Sequence, residues 1–434
     1  MAKNRITRTI SAAIKVEPHE LKATLTSFAF VFILMAAYFT LRPARDTLSS
    51  DWTDVQLSWL WTSTFFFSAI AVSIYGGIIS RIRFSIIVPS VYSFFAASFV
   101  GFYLVGTLLG DNDWVNRAFY VWLSVFSLFH LSVFWTFMSG LYNKEQAKRL
   151  YSIIALGASM GALVGPVVPA FFAAEIGTLN LLLIAAVLLL IPIPLIGVLE
   201  RLKISDLGNT GAQADLSRAQ HLGTNPFSGF TKVAGNPYLL AIGVFIVFYV
   251  IMNTFIYFEL RDLLGQFERD VRTQYWGRID LAVNSLATIT ALFATGRLAT
   301  KAGMPTTLAL VPILMIGGWL VVAVSPVLGV LIGLQVARRA GNYAITRPGR
   351  EMLFTIVNAE TRFKAKPVID IVIYRGGDVA TAWLYTAITA TLGLGLAGVA
   401  IISAVICAAW AAAGIFLGRS YEKKERADGT KKHE

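Results

Sequence analysis

The segment 327–347 places Gln335, Arg339, Asn342 and Thr346 at four-three-four spacing, with Arg338 beside them. On a helix this spacing makes one polar stripe along an otherwise apolar surface. Arginine presents a planar fork of N–H donors matched to phosphate or carboxylate, and asparagine adds hydrogen bonding without charge, so the ligand such a stripe would hold is an anion. Adjacent residues on a helix point to different sides, so Arg338 and Arg339 cannot both face one ligand, and the spacing leaves open which of them does. The next apolar segment, 367–390, carries Asp370, Tyr374, Arg375 and Asp378. Arg375 and Asp378 are three apart and share a face, which adds Arg375 to the binding set. Asp370 and Asp378 are candidates for coupling, because a carboxylate in a low-dielectric cavity can exchange a proton while a nearby arginine opposes that exchange. His130 is a second group able to carry a proton, but a lone histidine in an apolar segment reads first as a hydrogen-bonded packing residue.

A second set of charges falls at segment ends. Arg42, Arg45 and Asp46 close the first apolar run, Glu259, Arg261 and Asp262 close the seventh, and Arg278 and Asp280 open the eighth. Opposite charges contributed by two parts of the chain at one face hold it shut in one arrangement and release it in another, which makes Arg42, Arg45, Asp46, Glu259, Arg261 and Asp280 gate candidates. The bland alternative is solvated charge at helix ends. At the other face Arg347-Pro348-Gly349-Arg350-Glu351 echoes Arg42-Pro43-Ala44-Arg45-Asp46, with Glu145 and Glu360 available as partners for Arg350, and Pro348 predicts a helix end near that point.

These residues need apolar elements to hold them. The chain has 434 residues, of which 56% are hydrophobic and only 14% charged, with a mean hydropathy of +0.66. A water-soluble core cannot hide that many apolar runs, whereas each run of about twenty residues matches a hydrocarbon thickness of about 30 Å. Twelve such runs are read at 24–43, 57–79, 85–109, 115–140, 151–175, 178–199, 238–262, 278–299, 305–324, 327–347, 367–390 and 396–418. An all-α membrane protein of about twelve transmembrane helices follows, arranged as two pseudo-symmetric six-helix bundles at 24–199 and 238–418. A segment at 1–23, a linker at 200–237 and a tail at 419–434 complete it. The basic N-terminal stretch runs into a full-length apolar segment without a small-residue cleavage site, so no cleaved signal peptide is expected. Trp52, Trp59, Trp61, Trp114 and Trp276 fall where an interfacial aromatic belt would lie.

Of the 37 lysines and arginines, 27 fall on the side of the tails and 7 on the other. The positive-inside bias then makes both termini and the linker cytoplasmic, and a bacterial inner membrane is the expected location. The net charge of +12 is spread over short loops rather than gathered in one stripe, which argues against nucleic acid as a partner. One cysteine, Cys407, excludes an internal disulfide. No Cys/His set has metal-ligand spacing, so neither metal nor cofactor is expected. No phosphate-binding loop and no metal-histidine pair is present, so an enzyme is not expected.

The two halves repeat. Tyr38-Phe39-Thr40-Leu41-Arg42 matches Tyr257-Phe258-Glu259-Leu260-Arg261, Gly76 and Arg81 match Gly296 and Lys301, and Asn143, Glu145, Arg149 and Gly161 match Asn358, Glu360, Lys364 and Gly376, all at offsets of 215–220. A duplicated bundle of this kind resembles the major facilitator superfamily. Gly296-Arg297-Leu298 with Lys301 and Gly303 resembles that superfamily's basic loop, and Gly161-Ala162-Leu163-Val164-Gly165-Pro166 resembles the start of its antiporter motif. Pro169-Ala170 stands where a glycine pair is expected, and Gly157, Gly161 and Gly165, four apart, also read as close helix packing. Leu41-Arg42-Pro43-Ala44-Arg45-Asp46-Thr47-Leu48 and Asn236-Pro237-Tyr238-Leu239, with Tyr249 and Asn253, are similar to the ATP/ADP antiporter family of nucleotide transporters. That resemblance implies a monomeric secondary transporter that exchanges a small anionic solute such as a nucleotide by alternating access. The departure is that members exchanging nucleotides use lysines within spans, and none is placed mid-membrane here. The rival expectation is a proton-coupled exporter of lipids or lipophilic compounds, whose cavity would carry few arginines.

Overall fold

The computed structural model describes residues 16–79, 84–209, 228–295, 302–358, 361, 364–366 and 368–430. Among them the chain forms twelve helical rods. They are α1 (Leu21–Leu48), α2 (Asp54–Ile79), α3 (Phe84–Leu109), α4 (Asp113–Leu141), α5 (Lys144–Val164 continued by Val167–Ile176) and α6 (Asn180–Leu190 continued by Pro192–Ser205). The second six are α7 (Pro237–Leu264), α8 (Arg269–Thr290, ending in a π turn), α9 (Gly303–Val324), α10 (Leu328–Gly341 and onward to Leu353), α11 (Val368–Ile373 and Tyr374–Leu392) and α12 (Leu396–Thr430). Nine of the described helices are long and apolar enough to cross a membrane, and α8, α10 and α11 are not among them. Those three rods carry Asp280, Arg338, Arg339, Arg375 and Asp378, so the charges that lower their hydropathy are the ones with chemical potential.

Helix starts follow local chemistry. Asn112 caps α4 by accepting from the Trp114 and Val115 amides, Asn143 and Gln146 form a reciprocal capping box on α5, and Asn236 caps α7 with Pro237 at its first position. Each satisfies amide donors that a helix start leaves orphaned. At Gly177 the backbone turns to a φ of 80°, a conformation that stops α5 and that side-chain-bearing residues resist.

The rods form two compact units. The first contains Met1–Leu48, Phe66–Thr224 and Glu268–Leu281; the second contains Ser49–Phe65, Asn225–Phe267 and Ala282–Glu434. Each sequence half therefore lends a half-helix to the other's unit: the start of α2 belongs with α7 and α11, and the start of α8 belongs with α1 and α5. The first unit is built on contact between α1 and α5, where a Cβ on Gly157 would lie 2.6 Å from the Phe28 carbonyl oxygen and one on Gly165 2.6 Å from that of Ala36. Gly161 sits against the Phe32 carbonyl between them, and the Thr40 hydroxyl donates to the Gly165 carbonyl at 3.1 Å. The packing reading of these glycines is thus realised. Its apparent repeat partner Gly376 meets nothing within 4 Å, so the duplication did not carry this contact into the second half. In the second unit α9 packs along α12, where a Cβ on Gly414 would lie 3.1 Å from the Leu308 carbonyl oxygen and Trp319 and Trp410 are fully buried.

The structure corrects three expectations. α1 does not stop at residue 43 but runs through Pro43 to Leu48, so Arg42, Arg45 and Asp46 occupy its last two turns. Pro348 does not end α10. A π turn at Asn342–Thr346, in which the Arg347 amide donates to Asn342, leads into Arg347–Leu353 with Pro348 in the first turn. A proline is tolerated there because its missing N–H would have lacked an intrahelical partner. Finally, Trp59 and Trp114 are exposed as interfacial anchors would be, but Trp52 and Trp276 are 5% and 1% exposed and belong to the packed core.

Candidate functional site

The arginine pair of α10 is buried in the second unit. Arg338 is wholly inaccessible: its Nη2 donates to Gln335 Oε1 at 2.8 Å, its Nη1 donates to the Tyr249 hydroxyl at 3.3 Å, and its guanidinium lies 5.6 Å from the Tyr249 ring centre. Gln335 is one turn before Arg338, so helical spacing alone brings them together, while Tyr249 comes from α7. Tyr249 is flanked in turn by Tyr374 of α11 and Trp410 of α12, each with ring centres 6.0 Å away. Asp378 lies in the electrostatic field of Arg375 first and Arg338 second, and its Oδ1 is buried without a hydrogen-bond partner. Arg339 is 3% exposed on the neighbouring face of α10. The expected polar stripe is interrupted at Asn342 and Thr346, which lie in the π turn; Thr346 is buried and its hydroxyl has no partner. Single π turns recur at functional positions because they rotate side chains out of helical register.

Two guanidinium groups, Arg375 of its own helix and Arg338 of α10, therefore act on the one carboxylate of Asp378. Asp370, the other coupling candidate, lies 3.3 Å from Arg350 Nη2, and Arg350 also meets Glu351 at 3.7 Å. Glu351 in turn accepts from Lys366 at 2.5 Å. Arg350 therefore finds its carboxylate on α11, and these pairs tie the end of α10 to the start of α11. Glu145 is exposed and pairs with Lys148 one turn on, at 2.9 Å. Glu360 lies outside the described residues.

The end charges are brought together in two separate places, both at the end of the rods where odd spans lead into even ones. In the first unit Arg42 lies 3.5 Å from Asp46 and 3.6 Å from Asp280 of α8, and Arg45 reaches Asp46 at 2.6 Å. Asp46 and Asp280 are each 1% exposed. In the second unit Arg261, also 1% exposed, pairs with Asp54 of α2 and donates to the Ser49 carbonyl at 2.9 Å and to that of Trp52. Glu259 accepts from the Tyr385 hydroxyl at 2.8 Å. The repeat-related arginines Arg42 and Arg261 thus each bind a carboxylate on an even-numbered helix of the opposite sequence half.

Several partners were not singled out in the sequence. Asp54 stands at a helix start, where an acidic residue is unremarkable on dipole grounds alone. Tyr385 sits in an aromatic-rich run without a distinguishing neighbour, and Tyr249 entered only through the family resemblance, not as a partner of Arg338. Glu20, 1% exposed, accepts both Arg149 nitrogens at 3.0 and 2.7 Å and joins α1 to α5. Repeat arithmetic marked Arg149, but nothing in spacing pointed to a carboxylate 129 residues earlier. His130 is buried with Nδ1 3.3 Å from the Phe126 carbonyl and its ring stacked on Tyr38 at 4.5 Å, the arrangement of a packing residue.

Comparison with known proteins bears on this architecture. No curated protein matches the chain in sequence. Among solved structures, a bacterial homolog of the human lysosomal transporter Spinster is similar in its inward-facing unoccupied form, with a TM-score of 0.59, 12% identity, and coverage of 94% of this chain and 99% of that one. The inward-facing occupied form of that homolog is similar with a TM-score of 0.58 and the same identity and coverage. At this identity the likeness is one of fold. The sequence profile of the Major Facilitator Superfamily matches residues 26–346, from α1 through the π turn of α10. With six-plus-six helical rods, duplicated end motifs and a family profile covering most of its length, this chain is a multi-pass membrane transporter that belongs to the Major Facilitator Superfamily.

Proposed function

We propose that the protein is a secondary transporter of a small anionic solute, bound beside Arg338 and Arg339 of α10 with Arg375 of α11, and moved by alternating access. The observation that carries this reading is the wholly buried Arg338, held by Gln335 and Tyr249 and acting on the same Asp378 carboxylate as Arg375. An anion with phosphate or carboxylate oxygens matches the planar donor fork of arginine. Asn342, at the first residue of the π turn, is positioned to select hydrogen-bonding groups on that anion. Asp378 is the preferred coupling residue, because Asp370 is engaged by Arg350. Arg42 with Asp280, and Arg261 with Asp54, serve as two locks, one in each unit, that join opposite sequence halves and part during the transport cycle. Exchange of nucleotides is the solute reading favoured by the sequence resemblance, with both termini cytoplasmic.

The test uses purified protein in liposomes preloaded with ATP, ADP, inorganic phosphate or buffer, offered labelled nucleotide with and without a pH gradient. Uptake that requires internal nucleotide supports exchange. Uptake driven by the gradient alone replaces exchange with proton coupling, and no saturable uptake of any anion removes the anion site.

A further inference from the structure

A cavity of about 80 Å³ opens within the first unit at the end of α1, α3, α4 and α6, and none of its lining residues belongs to the proposed solute site. Leu48, Phe102, Phe119 and Leu182 form its apolar walls, and Gly106 contributes no side chain, so the Leu179 methyl is the nearest atom to where a Cβ would stand, at 3.0 Å. Asn116, Thr178 and Arg269 form its rim. These polar groups are already engaged within the protein. Asn116 Nδ2 donates to Asp111 at 2.7 Å, Arg269 donates to both oxygens of Asp111 at 2.7 and 3.0 Å, and the Thr178 amide and hydroxyl donate to Asp270 at 2.8 and 2.6 Å. The walls beneath this rim are apolar and suit an alkyl chain.

The surroundings identify the source of that chain. Leu108, Leu109 and Trp114 beside the rim are 82%, 62% and 77% exposed, and Arg117 lies over the Trp114 ring at 5.5 Å, an amphipathic pair typical of the depth where headgroups begin. The rim bears the Asp111–Arg269 pair and the Asp113–Arg117 pair, the latter at 2.8 Å, with Asp270 beside Thr178. Asp111 and Asp113 are more than half exposed, so both signs of charge remain presented to a ligand. An alternation of this kind complements a headgroup that carries a phosphate and an ammonium together, and is poorly matched to one that carries negative charge alone.

We infer that this cavity binds one zwitterionic phospholipid of the surrounding bilayer, an acyl chain filling the space between Leu48, Phe119 and Leu182 and the headgroup lying over the Asp111–Arg269 pair. A bound chain there would fill the space beneath the first turn of α8, which Arg269 and Asp270 fasten to the 3–4 and 5–6 turns. The site is independent of the solute reading above.

The test is native mass spectrometry and thermal melting of the intact protein in dodecyl maltoside, with phosphatidylethanolamine or phosphatidylglycerol of identical chains added. The expected result is a phosphatidylethanolamine adduct retained at least fivefold over phosphatidylglycerol, with a melting temperature raised by several degrees. Gly106→Leu, which fills the cavity, should remove both effects; Leu182→Phe from the opposite wall serves the same purpose if Gly106→Leu does not fold. Asp111→Asn, which removes the carboxylate paired with Arg269, should shift retention toward phosphatidylglycerol while retaining an adduct. Equal lipid retention in wild type and the filled variants, or equal retention of dodecyl maltoside itself as an adventitious additive only, would overturn the site.

Discussion

Gly157→Ala is the sharpest probe of the α1–α5 contact, because the added methyl is small and its surroundings are known. The new Cβ would stand 2.6 Å from the Phe28 carbonyl oxygen, about 0.8 Å closer than an ordinary 3.4 Å contact, with two Phe28 ring atoms at 3.1 Å. A backbone oxygen cannot swing aside as a side-chain end can, so the two helices must part along a seam that Gly161 and Gly165 also hold closed. Overpacking of this kind costs about 1–3 kcal/mol. Against it stands the helix-propensity gain of replacing glycine by alanine, about 1 kcal/mol. Gly376→Ala supplies the control: the residue is helical and its Cβ meets nothing within 4 Å, so only the propensity gain applies. The difference in stability between the two variants therefore isolates the packing cost, and Gly157→Ala should be the less stable by about 1–3 kcal/mol. Paired melting curves in one detergent measure it. If the two variants melt together, the close approach of α1 and α5 is wrong.

Four further outcomes are expected. Arg261→Gln strands Asp54 and two backbone carbonyls, and should lower stability on the order of 3 kcal/mol by thermal melting; a variant as stable as wild type rules out a buried lock at that position. Arg338→Lys keeps the charge but loses the fork and should weaken anion affinity at nearly unchanged melting temperature, with Arg338→Gln weaker still; unchanged affinity in both, and in the same pair at Arg339, removes the proposed site. Hydrogen bonding from Arg269 holds the Asp111 carboxyl below its ordinary value of 3.8, so the stability it contributes is complete above that value and is lost as pH falls through the lower folded-state value. Asp111→Asn should flatten that acid limb of a melting-temperature profile by a small amount, since Asp111 is 64% exposed, and an unchanged limb contradicts the pairing. Cys407 is fully buried, so single cysteines at Gly110 and Gly208 can be labelled against a silent background; reactivity from the same side of intact membranes excludes the expected topology.

Much of the architecture was legible because lipid imposes a length on each apolar run and leaves helices as the means of satisfying the backbone within the chain. Twelve rods, their order and the duplicated Arg42 and Arg261 ends all follow from runs and offsets that need no knowledge of neighbours. The same holds for the caps at Asn112, Asn143 and Asn236, which act within four residues. Spacing also placed Gln335 beside Arg338, one helical turn apart. What spacing could not supply was the identity of partners across the chain. Gly161 and Gly376 occupy matching places in the repeat, yet a carbonyl crowds one and empty space surrounds the other. Arg350 was offered Glu145 and Glu360 by sequence logic and meets Asp370; Pro348 was read as a stop until a π turn absorbed it; Trp52 and Trp276 were read as interfacial and are buried. Arg42 meets Asp280, which the end charges had marked, but Arg261 was marked without its carboxylate, Asp54, 207 residues away along the chain. Periodicity reports the face of a helix on which a residue lies, because that geometry repeats every few residues. Which helix then covers that face, and with which atom, depends on how whole rods pack, and that is settled only when distant segments meet.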